Sequence, residues 1–159
     1  MRFRRASADS WELREIHPLF ASLLVDLPKV ASRHKKAQAR LYPDPTGGTG
    51  DAQLRRDWKE HVRPELERLF ATSRDLVARD VEGLGHNGQG NKLVIPGDHL
   101  DAWLNALNQA RLVIVEENRF SESDLDHREP PDLATRRGLS LLKIHFYAHL
   151  QELLLEAVG

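Results

Sequence analysis

The chain has 159 residues, of which 40% are hydrophobic and 30% charged, with a formal net charge of -1 and no cysteine. A chain of that length can bury roughly 70% of the surface its unfolded form exposes, so a packed core needs no covalent staple. The missing cysteines exclude disulfides, thiolate metal sites, iron–sulfur ligation and a thiol nucleophile, and the cancelling charge argues against a dedicated nucleic-acid binder, which concentrates Lys and Arg against phosphates.

The stretch Met1 to Ser7 carries the charge of a signal n-region, but Asp9, Ser10 and Glu12 stand where an apolar h-region belongs. Neither Leu139 to Leu142 nor Leu153 to Leu155 approaches the length of a membrane span. A soluble protein of the reducing cytoplasm, without membrane contact, is the expectation.

Weak alternation in the first sixteen residues sets Phe3, Trp11 and Leu13 against Glu12 and Arg14, and predicts a short hairpin turning at Ser7-Ala8-Asp9-Ser10. Pro18 suits the first position of a helix, and Leu19, Leu23, Leu27 and Val30 continue it to about Arg40, with a kink at Pro28. The basic run Arg33, His34, Lys35, Lys36 and Arg40 reads as the solvated end of that helix, because cations favour a helix C-terminus. Nucleic-acid contact through residues 33–40 is the lowest-ranked use of it.

Tyr42 to Gly50 can hold neither helix nor central strand. From Asp51 a long second helix gathers Leu54, Trp58, Val62, Leu66, Leu69, Phe70, Leu76 and Val77 on one broad face, leaving Pro64 on the solvent side. Gly83 to Asn91 reads as a mobile linker, and lacks the Gly-Lys-Ser/Thr of a phosphate loop. Leu93-Val94-Ile95 is a β-prone run that can pair with the hairpin. Asp98 is expected to cap a third helix reaching about Asn118. Arg119 to Gly138 reads as a surface loop, and a last helix starts between Thr135 and Leu139. The fold class is mainly α: a single domain over residues 1–159, with about four main helices and a small β element.

Three constellations carry chemistry. Arg111 falls near the centre of the arc defined by Leu100, Trp103, Leu104, Leu107, Ile114 and Val115, with Asn108 at its edge. A guanidinium there demands a carboxylate, for which Glu65 or Asp57 are the candidates, or else an anionic ligand. On the last helix His145, His149, Glu152 and Glu156 form a polar stripe, read as the solvent-facing strip or alternatively as a metal site, since paired histidines and a carboxylate at such spacing can ligate a divalent ion. Asp57, His61 and Glu65 line one edge of the second helix, as surface pairs or as further ligands for the same metal.

The segment from Asp101 to Val113, with Trp103-Leu104, Leu107-Asn108 and Arg111-Leu112, resembles the Trp-Leu-x-x-Leu-Asn-x-x-Arg-Leu segment of an uncharacterised bacterial family, a domain of unknown function. Tyr42-Pro43, Ile95-Pro96 and the closing Phe146 to Leu153 are similar to that family's too. The resemblance implies a mostly α cytoplasmic protein of actinobacterial type, with Trp103, Asn108 and Arg111 as motif positions. It also implies a gene often placed beside the adaptor of the Clp protease, an associational hint of regulated proteolysis. No nucleophile elbow or nucleotide fingerprint occurs. The reading is a non-enzymatic protein-interaction or regulatory domain with a protein partner and no cofactor or metal, leaving homo-oligomerisation open. The alternative is a metal-dependent bundle enzyme built on His145, His149 and Glu152.

Overall fold

The computed structural model describes residues 1–48, 50–84, 90–126 and 129–159, with the side chains of His34 and Lys36 left aside. Residues 85–89 of the expected linker lie outside that set. Among the described residues four long helices, α1 (Pro18–Ser32), α4 (Arg63–Val81), α5 (Leu100–Asn118) and α7 (Arg136–Val158), accompany the short α2 (Gln38–Leu41), α3 (Ala52–Asp57) and α6 (Glu122–Leu125). The strands β1 (Arg2–Ser7), β2 (Ser10–Arg14) and β3 (Leu93–Pro96) form one antiparallel sheet in that order. The protein is mainly α with a small β element, as its periodicity predicts.

The hairpin and its third strand follow from alternation. Leu13 stands opposite Phe3 on one side and Leu93 on the other, and Trp11 stands opposite Arg5 and Ile95. A period of two therefore sends Leu13, Leu93 and Ile95 into the core while Phe3 stacks on Trp11 at 5.3 Å. On the outer face Glu12 is covered by Arg4 and Arg14, each 2.7 Å away. The hydrogen bond from Arg4, helped by the Arg14 charge, holds the Glu12 carboxyl below the usual range.

The first helix begins as expected at Pro18, with His17 Nδ1 accepting from the Leu19 N–H at 3.1 Å. It ends at Ser32, not at Arg40. A 3₁₀ turn over His34–Ala37 leads into α2, which bends the chain so that Ala37, Leu41 and Tyr42 are buried. The bend also brings Arg33 within 2.9 Å of Glu117 and Arg40 within 3.3 Å of Glu116 at the end of α5. Two cations of the basic run are thus matched to acids instead of capping a free helix end.

The second helix runs unbroken from α3 through a π turn at Trp58–Val62 into α4. Asp51 caps it by accepting from the N–H groups of Gln53 and Leu54. Pro64 is exposed, as expected, and cannot donate to the Glu60 carbonyl; the Arg63 N–H instead reaches back five residues to Trp58. The wider turn absorbs the proline without ending the helix.

Helix α5 is the axis of the fold, packed by α1, α4 and α7. Trp103, Ala106, Leu107, Ala110 and Val113 are all fully buried. Asp98 does not cap it: a 3₁₀ turn, Gly97–His99, leads in without a side-chain cap. Part of the Arg119 to Gly138 stretch is helical after all, because Ser121 and Asp124 form a reciprocal capping box that starts α6. Positions 127 and 128 of that stretch lie outside the described residues. Thr135 caps α7, and Tyr147 on α7 donates its hydroxyl to the Leu23 carbonyl of α1 at 2.7 Å.

Candidate functional site

Trp103 is fully buried, and its indole N–H donates to the Asp80 carboxylate at 2.8 Å. His99 Nδ1 lies 2.9 Å from the same oxygen, so one carboxylate of α4 gathers two rings at the start of α5. Asn108, expected at the edge of the buried arc, is exposed. The polar group that α5 does bury is its neighbour Gln109, which accepts from Arg74 at 2.8 Å and donates towards the Phe70 carbonyl. Asn105, one turn earlier, donates to Ser73 Oγ at 3.2 Å. Sequence reasoning missed these partners. The available signal was Ala102, Ala106 and Ala110 at four-residue spacing, a strip of small side chains that lets another helix approach.

Arg111 is half-buried at the seam between α5 and α7, where it donates to Gln151 Oε1 at 2.6 Å. Gln151 in turn donates to the Leu104 carbonyl at 3.2 Å. Among the described residues no carboxylate pairs with Arg111, and its Nε is buried without a partner. Glu65 is exposed and pairs with Arg68 at 3.2 Å, and Asp57 is exposed and accepts from Gln53. The expected internal ion pair is therefore corrected to a hydrogen bond between a charged group and a neutral one. A half-buried guanidinium keeps part of its hydration, so a desolvated acid is not required. Arg111→Met should accordingly cost about 1–2 kcal/mol in urea unfolding, because Gln151 Oε1 loses its charged donor but no acid is orphaned. A loss of about 3 kcal/mol or more would restore the ion-pair reading.

On α7 the stripe of His145, His149, Glu152 and Glu156 is exposed, with His149 and Glu152 3.9 Å apart. Among the described residues no group of three or more His, Asp or Glu side chains is placed to hold a metal ion. A groove of about 630 Å³ opens between α1 and α4, lined in part by Val25, Pro28 and Ala78. Its rim mixes Lys29 and Arg74 with Asp75 and Glu82, so it offers a charged ligand no field of one sign.

The distinctive surface is on the arm formed by α3, the π turn and the first half of α4. Sequence periodicity put its apolar residues on one core-facing side, and half of them are there: Trp58, Leu66 and Phe70 are partly buried against the core. Leu54, Val62 and Leu69 are 50%, 44% and 54% exposed. In an uninterrupted α-helix Val62 and Leu69 would sit roughly 60–80° round from Leu54. The π turn advances each residue by less than an α turn does and removes most of that offset, so the three fall close to one line. Beside that line on the open side stand the exposed Asp57, His61 and Glu65.

The arm is held in place. Arg55 pairs with Asp44 at 3.3 Å, Arg63 lies over the Tyr42 ring at 5.1 Å and donates to Gln38, and Tyr42 stacks on Phe70 at 5.5 Å. Elsewhere Val94 and Leu133 are exposed singly, and Leu155 and Val158 make a shorter pair on the last turn of α7.

A bundle wrapped around α5, closed at one end by a small sheet and displaying an apolar line on a fixed arm, is a mainly α domain distinguished by a surface. The chain belongs to the family described as Domain of unknown function (DUF2017), whose model matches residues 4–158. No curated protein and no solved structure matches the chain. No helix of the described residues is long and apolar enough to cross a membrane.

Proposed function

We propose that this protein is a non-enzymatic protein-interaction domain whose contact surface is the arm, residues 52–70. The observation that carries the reading is the exposed line of Leu54, Val62 and Leu69 on an element that packs on the core through Trp58, Leu66 and Phe70. Fully burying a large aliphatic side chain gains about 1.5–3 kcal/mol, and these three have already lost about half their exposure, so a partner can still draw on the order of 1 kcal/mol from each. Because the arm is pinned through Arg55, Arg63 and Tyr42, that gain is not spent on ordering a loose segment.

The double substitution Val62→Glu with Leu69→Glu removes the line without touching Trp58, Leu66 or the core. Because Val62 and Leu69 are each already about half-buried, it should cost about 1–3 kcal/mol and lower the melting temperature by several degrees while the chain stays folded, which circular dichroism checks. In cells expressing each form, chemical crosslinking followed by purification should recover a defined partner with the parent chain and with Leu155→Glu, and lose it with the arm variant. Equal recovery with the parent and the arm variant would overturn the reading.

A further inference from the structure

The geometry points to a second contact, independent of the arm: the open edge of β1 takes an extended acidic segment of another protein as a fourth strand of the sheet. The Gly97 N–H donates to the Asp9 carbonyl at 2.7 Å, so Asp9 and, at alternate positions after it, Trp11 and Leu13 direct their backbone groups at β3. Ser10, Glu12 and Arg14 then face Ser7, Arg4 and Arg2 of β1. Phe3 and Arg5 are left with their N–H and C=O groups turned away from the sheet, and among the described residues no loop or cap bonds to them. Five of the six β1 residues are exposed, whereas the opposite edge, β3, packs against α4. An unpaired row of this kind is a template for another strand.

Charge decides which strand. Along its length β1 carries Arg2, Arg4 and Arg5 and no acid. The carboxylates that meet these cations stand on the inner side of the strand: Arg4 shares Glu12 of β2 with Arg14, and Arg2 meets Glu15, which follows β2. One carboxylate thus serves two guanidinium groups, with Lys92 as a further cation near it, and the Arg2–Glu15 pair is weak because both side chains are mostly exposed. Among the described residues Arg5 meets no acid; it donates to the Ser7 and Ala8 carbonyls and lies over the Trp11 ring at 5.9 Å. A strand laid on the outer edge meets these three cations first. Glutamate or aspartate opposite them is attracted, lysine or arginine is repelled, and an apolar residue opposite Phe3 extends the stack of Phe3 on Trp11.

A second copy is disfavoured in either direction. Pairing β1 with its equivalent, antiparallel or parallel, sets Arg2, Arg4 and Arg5 beside the same three residues, and like charges on neighbouring strands destabilise a sheet. The bulge between Arg5 and Ser7 confines the regular edge to residues 2–5, so the footprint is that of a short segment.

The test uses the full chain and two fluorescent extended peptides that share a valine and threonine frame and carry either glutamate or lysine at the remaining positions. In fluorescence anisotropy the glutamate peptide should bind at least tenfold more tightly than the lysine peptide at low salt, with a preference that shrinks as salt is raised. Saturating glutamate peptide should slow amide hydrogen exchange at Phe3 and Arg5 at least tenfold, read by NMR, and leave the amides of α7 unchanged. Arg2→Glu with Arg5→Glu changes two exposed residues and leaves the Arg4–Glu12 pair in place, so it should reverse the preference with the circular dichroism spectrum retained. Val62→Glu with Leu69→Glu should leave peptide binding unchanged, so this contact and the arm stand or fall separately. Equal binding of the two peptides, or no binding, would overturn the acidic occupant. Charge-selective binding without slowed exchange at Phe3 and Arg5 would reduce it to a side-chain contact and overturn strand addition. Tighter binding of single-stranded DNA than of the glutamate peptide would make the edge a phosphate contact, and a dimer in sedimentation whose Phe3 and Arg5 amides are already protected would make the occupant a second copy; either result overturns the inference.

Discussion

Trp103→Ala should destabilise the protein by about 3–5 kcal/mol, the range for deleting a large aromatic from a packed core. The side chain is fully buried in the central helix, so its removal opens a cavity that three surrounding helices cannot collapse together. Part of the cost is polar. The indole N–H meets the Asp80 carboxylate at 2.8 Å, and His99 meets the same group, so Asp80→Ala alone leaves a buried donor unsatisfied and should cost about 1–3 kcal/mol. Trp103→Phe with Asp80→Ala should then show a coupling of about 1 kcal/mol in a double-mutant cycle by urea unfolding. Strict additivity would mean that the carboxylate does not hold the indole.

Gly138→Ala should be almost as damaging, although alanine is worth about 1 kcal/mol more than glycine within an ordinary helix. Gly138 sits in the first turn of α7, where its N–H donates to Thr135 Oγ1 at 3.0 Å. A Cβ there would overlap the Asp132 carbonyl, lying 2.6 Å from its carbon, and would come within 2.9 Å of the Thr135 hydroxyl. Both obstacles belong to one hydrogen-bonded turn, so relief requires pushing that turn off α7 and losing the Thr135 cap. Overpacking and cap loss together should cost about 2–4 kcal/mol. Thermal unfolding gives the check, and an alanine variant as stable as the parent would contradict the close approach.

Helices and strands announce themselves wherever one neighbour dictates the pattern. The hairpin and Leu93 to Ile95 alternate because only one face of the sheet meets the core, and Pro18 and Thr135 mark helix starts through local backbone chemistry. Reading fails where several neighbours act at once. Because α5 is enclosed by α1, α4 and α7, its apolar residues cover most of its circumference, and the centre of that arc is not a single direction. Arg111 therefore falls at a seam next to Gln151, and Gln109 is buried where Asn108 was expected near the core.

The end of α1 is another such case. Nothing local forbids helix from Arg33 to Arg40, but burying Leu41 and Tyr42 and pairing Arg33 and Arg40 with Glu117 and Glu116 outweighs that propensity. On the arm, Pro64 was visible as a perturbation. Its consequence, a π turn that realigns Leu54, Val62 and Leu69, depends on register and cannot be read from hydrophobicity alone.

The arm as a contact surface is tested most directly by placing a photoreactive benzophenone amino acid at position 62, and separately at position 149 on the exposed stripe of α7, and irradiating intact cells of the source organism. The account predicts a discrete protein adduct from position 62, lost when Leu54 and Leu69 are replaced by glutamate, and none from position 149. Adducts from position 149 alone, or from position 62 regardless of Leu54 and Leu69, would contradict it.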